Sequence, residues 1–202
     1  MKQAQIEGPY ILCPHSMSGI EALYWSGQYP TEVKAIIGLD MAVPEAYADY
    51  QINMPVFKLL QFVSKTGIAR LVPAAKESAA IKTGILTEEE KEIYKAVFYR
   101  RSATQTMINE VKAIKTSAAL VSQAQVPDIP ILLFCSNGEG TGWAKDSWLK
   151  YQNNYVKQLK NGSLIELDCG HYVHDIEYMR IADEIKLFLS EKDLDELALG
   201  EK

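Results

Sequence analysis

Histidine is scarce in this chain: His15, His171 and His174 are the full complement. A serine stands directly beside the first, in the run His15-Ser16-Met17-Ser18-Gly19. The mostly apolar residues 10–13 precede that run, and a helical pattern begins near Gly19. Ser16 therefore falls on a tight strand-to-helix turn, which lifts a hydroxyl to the top of a sheet where an imidazole can reach it. A serine hydroxyl is a weak nucleophile until a base takes its proton. The base in turn needs an acid to hold its tautomer and stabilise its charged form. Such a turn wants small residues two before and two after the serine. Ser18 meets that demand, whereas Pro14 departs from it, having no amide hydrogen and a fixed dihedral.

The elements that must position these residues follow from periodicity and breakers. Residues 1–7 read as a helix end stopped by Gly8-Pro9. Residues 10–13 read as a short strand, and residues 19–28 as a helix that Tyr29-Pro30 ends. Residues 33–39 form an apolar run ending in Asp40, the pattern of a parallel strand buried on both faces. Helical patterns then dominate. Thr87 with Glu90 makes a capping box, and Ser102 is the expected cap of the helix after it. Met41, Tyr47, Met54, Phe57, Phe62 and Met107 fit either a substrate pocket or plain packing. Strands return at 131–135 and 163–167. The glycine-rich run 136–142 follows the first, and Asp168-Cys169-Gly170-His171 follows the second. A helix over 148–159 separates them, and an amphipathic helix over 176–189 closes the pattern before a charged tail. Alternation of this kind predicts an α/β fold, a parallel sheet covered by helices, with functional loops at the carboxyl ends of the strands. The organisation reads as 1–40 and 127–202 forming the core, with 41–126 a helical insertion.

Composition narrows the function. The net charge of −5 is spread among interspersed charges with no basic face, which disfavours a nucleic-acid partner. No apolar run is long enough to span a bilayer, and the first residues lack a signal-peptide core. Three cysteines without paired spacing fit a reducing, cytoplasmic compartment and no metal site. The spacing of Gly138, Gly140 and Gly142 is wrong for a pyrophosphate cradle, and Glu139 would repel the anion.

The segment from Gly8 to Gly19, followed by Tyr29-Pro30 and by Ile36-Ile37-Gly38-Leu39-Asp40, resembles the α/β-hydrolase superfamily, whose elbow usually reads Gly-His-Ser-Met-Gly-Gly. Gly170-His171-Tyr172-Val173-His174 resembles that superfamily's histidine loop. The resemblance implies Ser16 as nucleophile, the backbone amide of Met17 as an oxyanion donor, and His171 as base, with His174 its competitor. It places the acid after residues 131–135, which favours Glu139. Asp40 is the alternative, at a position some relatives use. The chain order Ser16, Glu139, His171 agrees with that of the superfamily.

The resemblance further implies a serine hydrolase without cofactor or metal, cleaving a small lipophilic ester, thioester or amide through an acyl-enzyme. A non-catalytic binding protein of the same fold is the alternative. Superfamily members carry further strands ahead of the nucleophile strand. Relative to them the 202-residue chain is expected to be the C-terminal part of the sheet, about four strands, and poorly active as it stands. Residues 10–13 would then form an exposed apolar edge open to self-association.

Overall fold

The computed structural model describes residues 3, 5–71, 78–83, 85–192 and 194. The helix end read over 1–7 lies partly outside these residues, and the charged tail lies outside them almost entirely. The described chain divides into two compact units: Met1–Ala48 with Thr116–Lys202, and Asp49–Lys115. Residues 41–48 and 116–126 thus group with the sheet-bearing unit.

The first unit is built on four parallel strands in the order β1 (Tyr10–Leu12), β2 (Val33–Leu39), β3 (Ile131–Cys135) and β4 (Gly162–Glu166). Strand β3 is apolar at all five positions and buried at all five, as a central parallel strand covered on both faces must be. Its alternate residues serve the two faces. Leu132 and Phe134 pack with Ile181, Phe188 and Leu189 of the last helix, Tyr178–Glu191. Ile131 and Leu133 pack with Ala22 and Leu23 of α1 (Ser18–Gln28) and with Tyr155 of the helix Lys145–Val156. Strand β1 is half-buried and forms one edge of the described sheet.

The second unit holds α2 (Met54–Lys65), the short α3 (Ala79–Lys82), α4 (Glu88–Arg101) and most of α5 (Gln105–Gln123). Thr87 and Glu90 form the expected capping box at the start of α4. Ser102 does not cap α5. It terminates α4, its hydroxyl donating to the Phe98 carbonyl, and Thr104 takes the capping place by accepting from the Met107 amide. Among the described residues of α2 and α4 none is fully buried. Between these helices and α5 lies a cavity of about 340 Å³, walled by Phe57, Leu60, Val63, Phe98, Met107 and Val111. Of the other candidate pocket residues, Met41 and Tyr47 are core of the first unit, and Phe62 is exposed.

The remaining α-helices among the described residues are α6 (Lys145–Val156), α7 (Val173–Ile176) and α8 (Tyr178–Glu191). The final helix expected over 176–189 is α8, which the short α7 precedes and from which Glu177, with φ −103° and ψ 24°, separates it. Cys13, Cys135 and Cys169 are free thiols. Among the described residues no helix is long and apolar enough to cross a membrane.

Gly19 decides how closely α1 approaches the segment after β2. A Cβ there would sit 2.5 Å from the Ala42 carbonyl oxygen and 2.8 Å from Met41 Cβ. The backbone approaches too closely for any side chain, and the Ala42 amide donates to the Ser16 carbonyl at 2.7 Å in the same contact. Gly19→Ala is therefore expected to destabilise the fold by about 1–3 kcal/mol, the range for overpacking a well-filled site. Chemical denaturation reads this, and wild-type stability in the variant would contradict the close approach.

Candidate active site

Each strand of the sheet delivers one candidate residue at its carboxyl end: Ser16 after β1, Asp40 after β2, Glu139 after β3 and His171 after β4. Ser16 has φ 55°, in the left-handed region that a non-glycine residue seldom enters. The turn is held by the amides of Ser18 and Gly19, which donate to the His15 and Ser16 carbonyls. Pro14 lacks a donor, but its carbonyl accepts from the Leu39 amide at 2.8 Å, so this corner is still tied to β2. Met17 is the N-cap of α1, placing its amide at a helix amino end where backbone N–H groups have no intrahelical acceptor.

The hydroxyl of Ser16 lies 2.8 Å from His171 Nε2. On the other side of the ring, His171 Nδ1 lies 2.6 Å from Asp40 Oδ2. An ionised carboxylate only accepts, so Nδ1 carries the proton and Nε2 is left as the acceptor for the serine O–H. Asp40 is fully buried and has φ 48°. Its Oδ1 accepts from the Ser136 amide at 2.7 Å and from Trp148 Nε1 at 2.8 Å. A buried charge persists only when its lone pairs are met by donors, and here three donors converge on one carboxylate.

Glu139 is not placed as favoured from the sequence. Its side chain is exposed, and the contact with His171 is made by its backbone, whose carbonyl accepts from the His171 amide at 2.8 Å. The cause lies in the loop. Gly138 and Gly140 have φ of 88° and 82°, and the Asn137 side chain accepts from the Glu139 amide, so the chain turns the carbonyl inward. Gly170 permits the approach, since a Cβ there would stand 3.3 Å from that carbonyl oxygen. Asp40, the alternative, occupies the position beside the ring. His174 is partly exposed, with Nε2 3.9 Å from Asp175 Oδ1, and it is His171 that meets Ser16.

Three residues of this site carried no functional reading in the sequence. Ser136 and Trp148 hold the carboxylate of Asp40. His15 donates from Nε2 to the His171 carbonyl at 3.1 Å. A signal for Trp148 did exist: an aspartate ending an apolar strand must find buried donors, and an indole N–H on a large apolar body is one. The His15 imidazole is pushed down from 6.5 to about 4, chiefly by burial and with a smaller lowering from the nearby His171 and His174, against the opposing effects of the His171 hydrogen bond and of Asp40.

No protein-family model matches the chain. It is 36% identical over 130 residues to an uncharacterized protein, YbdG, of Bacillus subtilis (strain 168), a match covering 62% of this chain and 40% of that protein. The chain thus spans well under half the length of that curated relative. Among solved structures it is similar to a variant of an epoxide hydrolase from Bacillus megaterium, with a TM-score of 0.61 at 12% identity, covering 94% of this chain and 72% of the other. An alpha/beta hydrolase enzyme from a deep-sea metagenome library gives a TM-score of 0.54 at 18% identity over 94% and 66%. MenH from S. aureus gives 0.56 at 16% identity over 91% and 68%.

The depressed His15 sets a pH dependence. Unfolded, the ring takes a proton near 6.5, and folded near 4. Between those values the unfolded state binds more protons, so the contribution of His15 to stability falls as pH drops through that window and levels off below it. His15→Gln removes the titration. Wild type should therefore lose stability relative to His15→Gln between pH 6.5 and 4. Urea denaturation of both proteins at stepped pH reads the difference, and a constant offset would contradict it.

Proposed function

We propose, proceeding from a chain that carries the α/β-hydrolase fold, that it is a serine hydrolase working by acyl transfer, with Ser16 as nucleophile, His171 as base and Asp40 as acid. The observation that carries this reading is the continuous chain of short contacts, 2.8 Å from Ser16 Oγ to His171 Nε2 and 2.6 Å from His171 Nδ1 to Asp40 Oδ2. His171 takes the serine proton as the oxygen attacks a carbonyl carbon. Asp40 stabilises the imidazolium that results, and His171 returns the proton to the leaving group. The amide of Met17 meets the oxyanion of the tetrahedral intermediate, where a preorganised donor is worth about 10²–10³ in rate. Water activated by the same histidine then releases the acyl group. Every proton in this sequence moves between Ser16, His171, the leaving group and water.

For the substrate, the reading is a small lipophilic ester, thioester or amide. The fold does not choose among carbonyl compounds, since one scaffold hosts many chemistries.

Labelling by a fluorophosphonate tests the nucleophile without requiring deacylation, because the probe traps the first chemical step. Wild type should label at one site and Ser16→Ala should not. A wild-type chain that stays unlabelled, although folded by circular dichroism, would instead favour a non-catalytic binding protein of this fold.

The acid is tested separately. Asp40→Asn keeps the shape but offers His171 Nδ1 an amide, which favours the wrong tautomer. The labelling rate should fall by about 10⁴, as for the equivalent change in a serine triad. Glu139→Gln alters an exposed side chain and should stay within about twofold of wild type, the range for surface substitutions. The opposite ranking of the two variants would return the role to Glu139.

A further inference from the structure

We propose that His15 is a positioning residue, whose imidazole holds His171 in register with Ser16 and Asp40 through the Nε2–H bond to the His171 carbonyl. This rests on the reading of those three residues as nucleophile, base and acid. His15 is tied to the chain at or beside each of the three corners, through a different link to each. It is covalently joined to Ser16. Its backbone forms a parallel bridge with Leu39, the residue before Asp40. Its ring reaches the loop after β4 at the His171 carbonyl.

The anchor is itself fixed. Ser18 Oγ accepts from the His15 amide at 3.1 Å and donates to the His15 carbonyl at 2.8 Å, closing the backbone around His15. The ring is gripped by its neighbours, with centroids 4.5 Å from His171, 4.7 Å from His174 and 5.3 Å from Tyr172. A ring so constrained cannot swing to find another acceptor. His171 is thereby held from both sides of its own peptide: its amide donates to the Glu139 carbonyl and its carbonyl accepts from His15.

The residue type follows from charge. Acyl transfer makes an imidazolium of His171, and a permanent cation about 4–5 Å away would oppose it. Lysine or arginine in this place would donate the same bond and raise the barrier. A half-buried imidazole donates while uncharged. Of the titratable groups around it, Tyr172 among them, His171, His174 and Asp40 act on its charge, and together with burial, the largest effect, they keep the ring neutral down to about pH 4.

The test follows the fluorophosphonate labelling rate of Ser16 across pH in the 202-residue chain, for wild type, His15→Leu and His15→Gln. Leucine fills part of the space without a donor, and glutamine carries an Nε2–H that reaches to the same length. His15→Leu should lose about 10²-fold, the scale for a reacting group displaced by about 1 Å, and its pH profile should shift. His15→Gln should stay within about threefold with the wild-type profile, the scale of a change that leaves the bond intact. Equal rates for His15→Leu and wild type would overturn the proposal, as would a His15→Gln rate as low as that of His15→Leu in a folded protein.

A second readout does not depend on a reactive serine. In ¹⁵N-histidine spectra of wild type, His15 should be the Nε2–H tautomer, uncharged down to about pH 4. A proton on Nδ1 instead would overturn the positioning role. Failure of wild type to label would sink the hydrolase reading, while the spectrum would still test the His15 bond independently.

Discussion

The arrangement at the carboxyl ends of the strands depends on how one buried carboxylate is kept charged. Asp40 has no exposure to solvent. Its two oxygens are met by a backbone amide, an indole N–H and an imidazole N–H. Removing any one would leave a lone pair of a buried anion without a donor, at a cost on the order of 1–3 kcal/mol. Those three donors arrive from three elements: the end of β3, helix α6 and the loop after β4. The carboxylate therefore ties strand order, helix placement and ring orientation together.

That tie explains features that look unrelated along the chain. Trp148 is fully buried because its indole must reach Asp40, and its rings pack beside Trp143, whose own N–H donates to the Ala46 carbonyl. Gln152, one turn further along α6, donates to the Met41 carbonyl just beyond Asp40. Both contacts pin the segment that follows β2. Gly19 and the Ser16 carbonyl pin it from the opposite side, through Ala42. The left-handed conformations of Ser16 and Asp40 fall at the two points where the chain leaves a strand and must aim a side chain across the sheet. Strain of this kind persists only where the surroundings over-determine it.

Much of this was legible in the sequence. The apolar runs became β2 and β3 because stretches so nearly continuous in apolar residues, interrupted among charged residues only by the exposed Lys34 of β2, have no polar face to turn outward. The capping box at Thr87 was legible because it is a local hydrogen-bond motif that needs no tertiary partner. Ser102 misled for the same reason in reverse. A serine before a helical pattern reads as a cap, yet its hydroxyl found the preceding helix's carbonyl instead. The glycine-rich run 136–142 was legible as a loop but not in its direction, since glycine permits the turn without fixing which group faces inward.

The sequence by itself determined the α/β alternation, the serine turn and a histidine loop after the last strand, because each is written in local periodicity and local residue types. For the partner of the histidine, the resemblance favoured Glu139 over Asp40, on position along the chain alone. Both are carboxylates just beyond apolar strands, and nothing local distinguishes them. Tertiary structure separated them by burial. The end of β2 lies enclosed under Trp148 and Ser136, where only a fully bonded carboxylate is tolerated, while the turn at Gly138 and Gly140 leaves the Glu139 side chain in solvent. The same assembly gave His15 its place, since the carbonyl it binds lies 156 residues away in sequence and comes within reach only when the sheet closes.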